Sequence, residues 1–305
     1  MGGKGSGSSR VDSSAIKSKL DLASKESDEQ AYNVRVNELL QSLLTDINQR
    51  GSSVDVHIAE IEKKLKEDID EFISLQFGGS VSKHTYVDGL SDVDMLMVIN
   101  DSSLTDKGPD AVSKHVLDVL KSRFPTSDIV QGKLAITVRF QDVEVQILPA
   151  IKRATGFKIA DATGKNWSDV IKPDKFREKL SKVNADMNKK LIPMIKVVKN
   201  MISNLPENVK PTGYHIEALA IEAFENYKGK ATIKDMITHF YKDAPKYISS
   251  PIPDKTNQSV YVDEYCGRID SKVRVEMATH FDRISRSLQN ADKTCSDSVW
   301  DDLLK

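Results

Sequence analysis

At 305 residues and 34.0 kDa, the chain is about twice the length of an ordinary single domain, which leaves one large α/β unit or two packed lobes and excludes a small stapled scaffold. Two cysteines, Cys266 and Cys295, cannot build a disulfide framework and read as thiols of a reducing compartment, so a cytoplasmic location is expected. A 39% hydrophobic and 29% charged composition excludes wholesale disorder, and no apolar run approaches the roughly 18 residues of a membrane span.

The net charge of −1 conceals an uneven distribution: 17 Lys+Arg stand against 24 Asp+Glu in residues 1–150, 14 against 6 in 151–210, and 13 against 15 thereafter. An acidic half is followed by a basic belt. A near-neutral whole lacks the long-range field of a duplex-binding module, so no stable duplex nucleic-acid binding is expected; the belt suits a small polyanion such as a triphosphate. Most of its lysines, Lys175, Lys179 and Lys182 among them, read as solvated helix faces.

In chain order, residues 1–10 form a Gly/Ser-rich tail with no apolar pattern and are expected to be flexible. Gly2 and Ser6 fit the myristoylation pattern formally, but one acyl chain without a basic, amphipathic continuation anchors weakly, and no membrane association is expected. From about Asp28 to Arg50, Val34, Leu39, Leu40, Leu43, Leu44 and Ile47 follow helical spacing. A second register runs through Ile58, Ile61, Leu65, Ile69, Phe72 and Ile73, with Ser52 and Asp55 as its capping box. A long helix pair or a bent helix is thus expected before the first strand, which the compact run Met95 to Ile99 places within 91–100. A helix follows over 110–123, then strands over 134–140 and 143–148, the second ended by Pro149. From Asp174 onward the pattern is helical, interrupted by the loop Ser249 to Pro253. The organisation predicted is a tail (1–10), a catalytic α/β lobe with long N-terminal helices (11–150) and a helical lobe (151–305).

The chemistry concentrates in Phe77-Gly78-Gly79-Ser80 and, eleven residues later, Asp92-Val93-Asp94 at the head of an apolar strand. Asp92 and Asp94 are i and i+2, so on a strand both carboxylates project from one face. Such repulsion at the mouth of a buried strand calls for a positive partner, and an oxygen-preferring divalent ion such as Mg²⁺ is the usual one. Gly78 and Gly79 let the backbone approach an anion, and Ser80 offers a hydroxyl at a tight turn, so phosphate is expected there.

Gly79-Ser80 with Asp92 and Asp94 resembles the polymerase-β-like nucleotidyltransferase superfamily. Adding Asp88-Gly89-Leu90-Ser91, Val145 to Ala150, Ile192 to Lys199, Tyr214-His215-Ile216-Glu217, Pro253-Asp254 and Tyr261 to Tyr265, the chain is similar, over roughly 75–300, to the cGAS/DncV-like nucleotidyltransferases (CD-NTases), bacterial relatives of cGAS and oligoadenylate synthetase. The resemblance implies an α/β fold: a polymerase-β-like lobe, a mixed sheet with flanking helices, packed on a C-terminal helical lobe. It implies a metal-dependent synthase making a cyclic oligonucleotide from ATP, alone or with GTP or another NTP. Two Mg²⁺ ions would sit at Asp92 and Asp94, with Mn²⁺ able to substitute. An antiphage (CBASS) signalling role is implied, with a nucleotide-activated effector and regulatory CBASS proteins as partners. The six histidines show no ligand spacing with cysteine, unlike the zinc module of animal cGAS.

The family places a third carboxylate on the neighbouring strand, three residues before the Pro-Ala, where this chain has Gln146. Glu144 shares that strand face one pleat away and is the expected substitute as third metal ligand and catalytic group, while Gln146 could offer its carbonyl oxygen to the nucleotide. Lys196 and Lys199, i and i+3 on a helix with the apolar stripe Ile195, Val198 and Ile202, share a face distinct from the core. By the resemblance they hold the triphosphate with Gly79 and Ser80, and Thr212 and Tyr214 contact phosphate or base. Two other functions stay open: transfer of a nucleotide to a protein, a tRNA or a small hydroxyl acceptor, and a catalytically reduced nucleotide-binding scaffold.

Overall fold

The computed structural model describes residues 13–49, 54–87, 93–100, 102–141, 143–161, 163–254 and 260–304. Residues 1–10, Ser52 and the segment Asp88 to Asp92, which carries the first of the paired carboxylates, lie outside the described residues.

Helices α1 (Ser13–Gln49) and α2 (Val54–Asp68) lead to strand β1 (Phe72–Phe77), the single turn α3 (Gly79–Ser82) and β2 (Val93–Ile99). Helix α4 (Pro109–Arg123) and strands β3 (Asp128–Gln131), β4 (Ile136–Arg139), β5 (Glu144–Arg153) and β6 (Gly156–Lys158) follow. The chain then becomes helical: α5 (Pro173–Asp186), α6 (Leu191–Met201), α7 (Gly213–Phe224), α8 (Ile233–Ile248), α9 (Lys272–Thr294) and α10 (Ser298–Leu304).

The strands form one mixed sheet in the order β1-β2-β5-β4-β3, with β6 pairing the far part of β5. β2 and β5 run parallel and every other pairing is antiparallel. Strand periodicity sends Val93, Met95, Met97 and Ile99 of β2, and Val145, Ile147 and Ile151 of β5, to one face. There they pack on Ile58, Ile61 and Leu65 of α2 and Val112, Val116 and Leu120 of α4. The opposite face carries Asp94 and Leu96 beside Gln146, Leu148 and Ala150, and this is the face that meets the helical lobe.

Several expectations change. Phe72 and Ile73 belong to β1 rather than to the end of a helix, because the backbone from Phe72 to Phe77 finds its ladder on β2. β3 pairs β4, and the short polar run Asp128 to Gln131 carried no strand pattern. Pro149 does not end its strand. β4 pairs β5 only as far as Ile147 and the pairing with β6 begins at Ile151 of β5, so the missing proline N–H falls in a gap between the two partners. α1 begins earlier than expected and buries Tyr32, Val36, Leu40 and Leu44, an i+4 stripe, leaving Val34 exposed. That stripe packs with α6, α8 and α10 in the helical core, not on the sheet.

The helical core is organised around α7. From Ile216 to Phe224 it is apolar on every side except at Glu217 and Glu222, which is the signature of a central helix, and His215, Glu217 and the apolar residues are buried. α5, α6 and α8 surround it, and α9 packs along α8. The loop between α8 and α9 is fixed by Asp263 and Arg274, both fully buried. Arg274 donates to Asp263 and to the carbonyls of Ile248 and Gly267, while the second Asp263 oxygen accepts from the Ile252 N–H. Among the described residues no helix is long and apolar enough to cross a membrane.

Candidate active site

The site begins where β1 ends. The Gly78 N–H donates to the Asp94 carbonyl at 2.8 Å, closing the β1–β2 ladder, and the chain turns at once into α3. Gly79 there has φ +43°, and a Cβ built on it would lie 1.6 Å from Asp94 Oδ2. The Asp94 carboxylate therefore occupies the space that a glycine leaves, which is the packing reason for glycine at this position. One residue on, Ser80 is buried and its Oγ has no hydrogen-bond partner among the described residues.

Two cavities meet at Asp94. One, of about 530 Å³, lies over the sheet face and is lined by Phe77, Gly79, Asp94, Gln146, Leu148, Phe157, Phe176 and Tyr214 among others. The second, of about 460 Å³, lies between α3 and the helical lobe and is lined by Gly79, Ser80, Lys83, Asp94, Lys199, Lys210, Thr212, Tyr214 and Glu217. Gly79, Ser80, Lys199, Thr212 and Tyr214 are thus brought together from segments more than a hundred residues apart. Gln146 borders the first cavity, in direct parallel register with Asp94. Asp92 lies outside the described residues.

Glu144 and Lys196 border neither cavity. Glu144 stands opposite Arg139 on β4 and accepts from its Nε at 2.8 Å, a pair that turns it toward the sheet edge, where Arg139 also holds Asp128. The place beside Asp94 falls to Gln146. Lys196 is half-buried and donates to Asn48 Oδ1 of α1 at 2.6 Å; burial, then the Lys199 charge, lowers its pKa.

Lys199 does not lie on a solvated face. It is 6% exposed, because α6 packs against α7 and the Lys199 side chain reaches across to Thr85 in the turn after α3. Its Nζ donates to the Thr85 carbonyl and to Glu217 Oε1, both at 3.0 Å. Glu217, also fully buried, accepts from the Thr85 hydroxyl and pairs with Lys83 through its other oxygen. Burial alone would raise the Glu217 carboxyl, but the Lys83 and Lys199 charges and the hydrogen bonds from Lys83 and Thr85 outweigh it and hold it below the ordinary glutamate value. Burial lowers the pKa of Lys199, with Glu217 pulling the other way.

Thr212 caps α7, its Oγ1 accepting from the His215 N–H at 3.2 Å, and its own N–H donates to the Tyr265 hydroxyl. Tyr214 packs on Phe176, donates its hydroxyl to Asp254 Oδ1 at 3.0 Å, and has Lys83 Nζ 4.8 Å from its ring centre. Its flat face therefore forms a wall common to both cavities.

Residues 34–184 match the family model of the Second Messenger Oligonucleotide or Dinucleotide Synthetase domain. The chain belongs to the CD-NTases. Comparison with the curated proteins finds no match by sequence. Among solved structures, CdnC of E. coli MS115-1 with ATP superposes with a TM-score of 0.65 at 13% identity, covering 85% of this chain and 92% of that one. CdnG of Bradyrhizobium diazoefficiens with GTP gives 0.63 at 12% identity over the same shares, 85% and 92%. The Vibrio cholerae DncV cyclic AMP-GMP synthase, bound to a linear intermediate, gives 0.59 at 10% identity over 92% and 86%. At these identities the likeness is one of fold: a polymerase-β-like mixed sheet with flanking helices packed on a helical lobe.

Within this CD-NTase, sequence reasoning missed Lys83, Thr85, Phe176 and Glu217 as parts of the site. Glu217 did carry a signal. A carboxylate amid the apolar run from Ile216 to Phe224 must be buried, and a buried carboxylate requires cationic partners. Lys83, three residues beyond Ser80, is the cation nearest in sequence to the phosphate turn.

Proposed function

We infer that this CD-NTase is a metal-dependent nucleotidyltransferase that joins ATP, alone or with GTP or another NTP, into a cyclic oligonucleotide. The observation that carries the reading is the position of Asp94. It is fixed against Gly79 at the seam of two nucleotide-sized cavities, one bordered by the buried Ser80 hydroxyl and Lys199, the other by apolar and aromatic walls. A donor nucleotide with its triphosphate in the second cavity and an acceptor in the first would meet at Asp94.

Among the described residues no cluster of three His, Cys, Asp or Glu side chains could hold a metal. The oxygen-bearing side chains that line the cavities here are hard donors: Asp94, Gln146 in register with it, and Ser80, whose hydroxyl has no partner among the described residues. That set suits Mg²⁺, with Mn²⁺ as a substitute, and Asp92, two residues before Asp94, would complete it. When bound, the ions supply neutralisation of the phosphate charge and an activated ribose hydroxyl. The protein's own part is positioning: Ser80, the α7 N-terminus at Thr212 and Lys199 take the β- and γ-phosphates, and Tyr214 with Phe176 and Leu148 exclude water from the bases. Glu144 would serve as third carboxylate only by leaving Arg139, so Gln146 takes that place in our reading. A role in antiphage signalling, with an effector and regulatory partners, follows from the family. A CdnC of the same fold is solved in complex with a HORMA protein.

Mass spectrometry of the products from mixed NTPs with Mg²⁺ or Mn²⁺ tests the function. A cyclic product formed with no added acceptor supports it. Labelling of an added protein or tRNA alone would shift the reading to an acceptor-modifying transferase. ATP binding without pyrophosphate release would make the Gln146 departure decisive and the chain a scaffold.

A further inference from the structure

Glu217 is buried on the central helix, and Lys83, Thr85 and Lys199 beside the second cavity all converge on it. Its Oε1 accepts from Lys199 Nζ on α6 and from the Thr85 hydroxyl; its Oε2 pairs with Lys83 Nζ on the turn after α3. Thr85 in turn donates its N–H to the Ser80 carbonyl at 2.9 Å and accepts Lys199 on its own carbonyl. Lys83 is further fixed over the rings of Phe176 and Tyr214, 5.1 and 4.8 Å from their centres. One carboxylate on the central helix thus ties the phosphate turn of the sheet lobe to the lysine helix of the helical lobe.

Two ammoniums this deeply buried beside the same cavity would repel each other without an anion between them. We propose that Glu217 is a positioning residue, holding Lys83 and Lys199 together and aimed at one anionic ligand so that the two lobes bind a triphosphate as a single unit. The proposal rests on the reading of the second cavity as the triphosphate site. Around that cavity Lys83, Lys199 and Lys210 stand against Asp94, Glu207 and Glu217, so the attraction for a polyphosphate comes from where the two buried cations are placed and not from a net charge, and Glu217 meets their burial cost inside the protein.

The test is ATP binding by calorimetry in EDTA, so that the readout does not depend on turnover, across pH 7 to 9.5. The full chain, Lys199→Met, Glu217→Gln and Glu217→Asp are compared. Lys199→Met should weaken ATP by roughly tenfold to a hundredfold, the range for losing one charged hydrogen bond. Glu217→Gln should weaken it to a similar degree although it removes no cation, and Glu217→Asp should recover part of the loss. The pH profile separates positioning from mere structure. The groups facing Lys199 are Glu217, Lys83, Asp94 and, on its own helix, Lys196. Removing the one anion it touches should move the loss of affinity to lower pH in Glu217→Gln than in the parent. If Lys199→Met weakens binding while Glu217→Gln matches the parent in affinity and pH profile, the positioning role is overturned alone. If Lys199→Met binds like the parent, the triphosphate site is misassigned and the inference falls with it. Should Glu217→Gln not fold, Thr85→Val removes the hydroxyl that donates to Oε1 and accepts from Lys199 Nζ at 3.3 Å; an affinity loss of about fivefold is expected, and parental binding would overturn the proposal.

Discussion

Gly79→Ala puts the geometry of the candidate site under direct strain. The new Cβ would lie 1.6 Å from Asp94 Oδ2, 2.4 Å from its Cγ and 2.8 Å from its Cβ. An ordinary contact is about 3.4 Å, so the carboxylate oxygen must retreat by about 1.8 Å, and because the Asp94 Cβ is itself too close, rotation of the carboxylate alone does not relieve the clash. The left-handed φ of +43° adds about 1–2 kcal/mol for any residue with a Cβ. Displacement of a reacting group by ~1 Å costs about a hundredfold in rate. We therefore expect pyrophosphate release from saturating ATP to fall at least about a hundredfold, while the melting temperature falls by only a few degrees. Gly78→Ala is the internal control. Its Cβ would meet the Asp94 carbonyl at 3.5 Å, an ordinary contact, and its φ of −102° suits any residue. Parental activity in Gly79→Ala, or equal damage from Gly78→Ala, would refute the argument that Asp94 is held by the space beside Gly79.

Asp94→Asn should abolish pyrophosphate release while the melting curve stays parental, since the side-chain volume is kept and an anion removed. Glu144→Gln should stay within about threefold of the parent and Gln146→Ala should lose more, measured side by side at saturating Mg²⁺; a drop of several powers of ten in Glu144→Gln would instead make Glu144 the third ligand. His215 is pushed down to about 4 by burial, Asp263 opposing and Arg274 adding to the shift. Its folded pKa lies below the unfolded 6.5, so the stability it contributes is complete above pH 6.5 and is lost as pH falls toward 4, by at most about 3 kcal/mol. Urea unfolding should therefore weaken more steeply over that window in the parent than in His215→Asn. Arg274→Met leaves Asp263 buried without its cation and should cost about 3–5 kcal/mol by the same measurement, with ATP affinity in the surviving folded fraction little changed.

What could be read in the sequence was whatever is local. The Gly79 turn, the strand behind Asp94 and the stripe of α4 each declare themselves within a dozen residues, because turn chemistry and periodicity act at that range. β1 escaped because Phe72, Ile73, Leu75 and Phe77 satisfy helical spacing as well as strand alternation, and only the ladder to β2 decides between them. In α1 the expected Leu40 and Leu44 are buried and Leu39 and Leu43 pack beside them, while Val34, equally apolar, faces outward; Tyr32, which the spacing did not offer, earns its place through hydrogen bonds to Asp292 and Trp300, far off in the chain. Glu144 and Gln146 share a strand face, so parity could not choose between them; what it could not foresee is Arg139 on the next strand, which pairs with Glu144 while Gln146 borders the cavity. The Glu217 cluster unites residues 83, 85, 199 and 217, a set that no spacing rule can assemble.

The partnership of α1 with the far helices also bears on the order in which the protein can be made. Tyr32 is held by Asp292 and by Trp300, separations of 260 and 268 residues, whereas the sheet is complete once β6 ends at Lys158. On a ribosome the sheet lobe has all its strands when barely half the chain has emerged, but the stripe of Tyr32, Val36, Leu40 and Leu44 must wait, apolar and uncovered, for α6 and α8, and the Tyr32 hydroxyl waits longer still for Asp292 and Trp300. A nascent chain halted before α6 should therefore carry a protease-resistant sheet and a protease-sensitive α1, and interruption of synthesis in that interval is when this molecule is most exposed to aggregation.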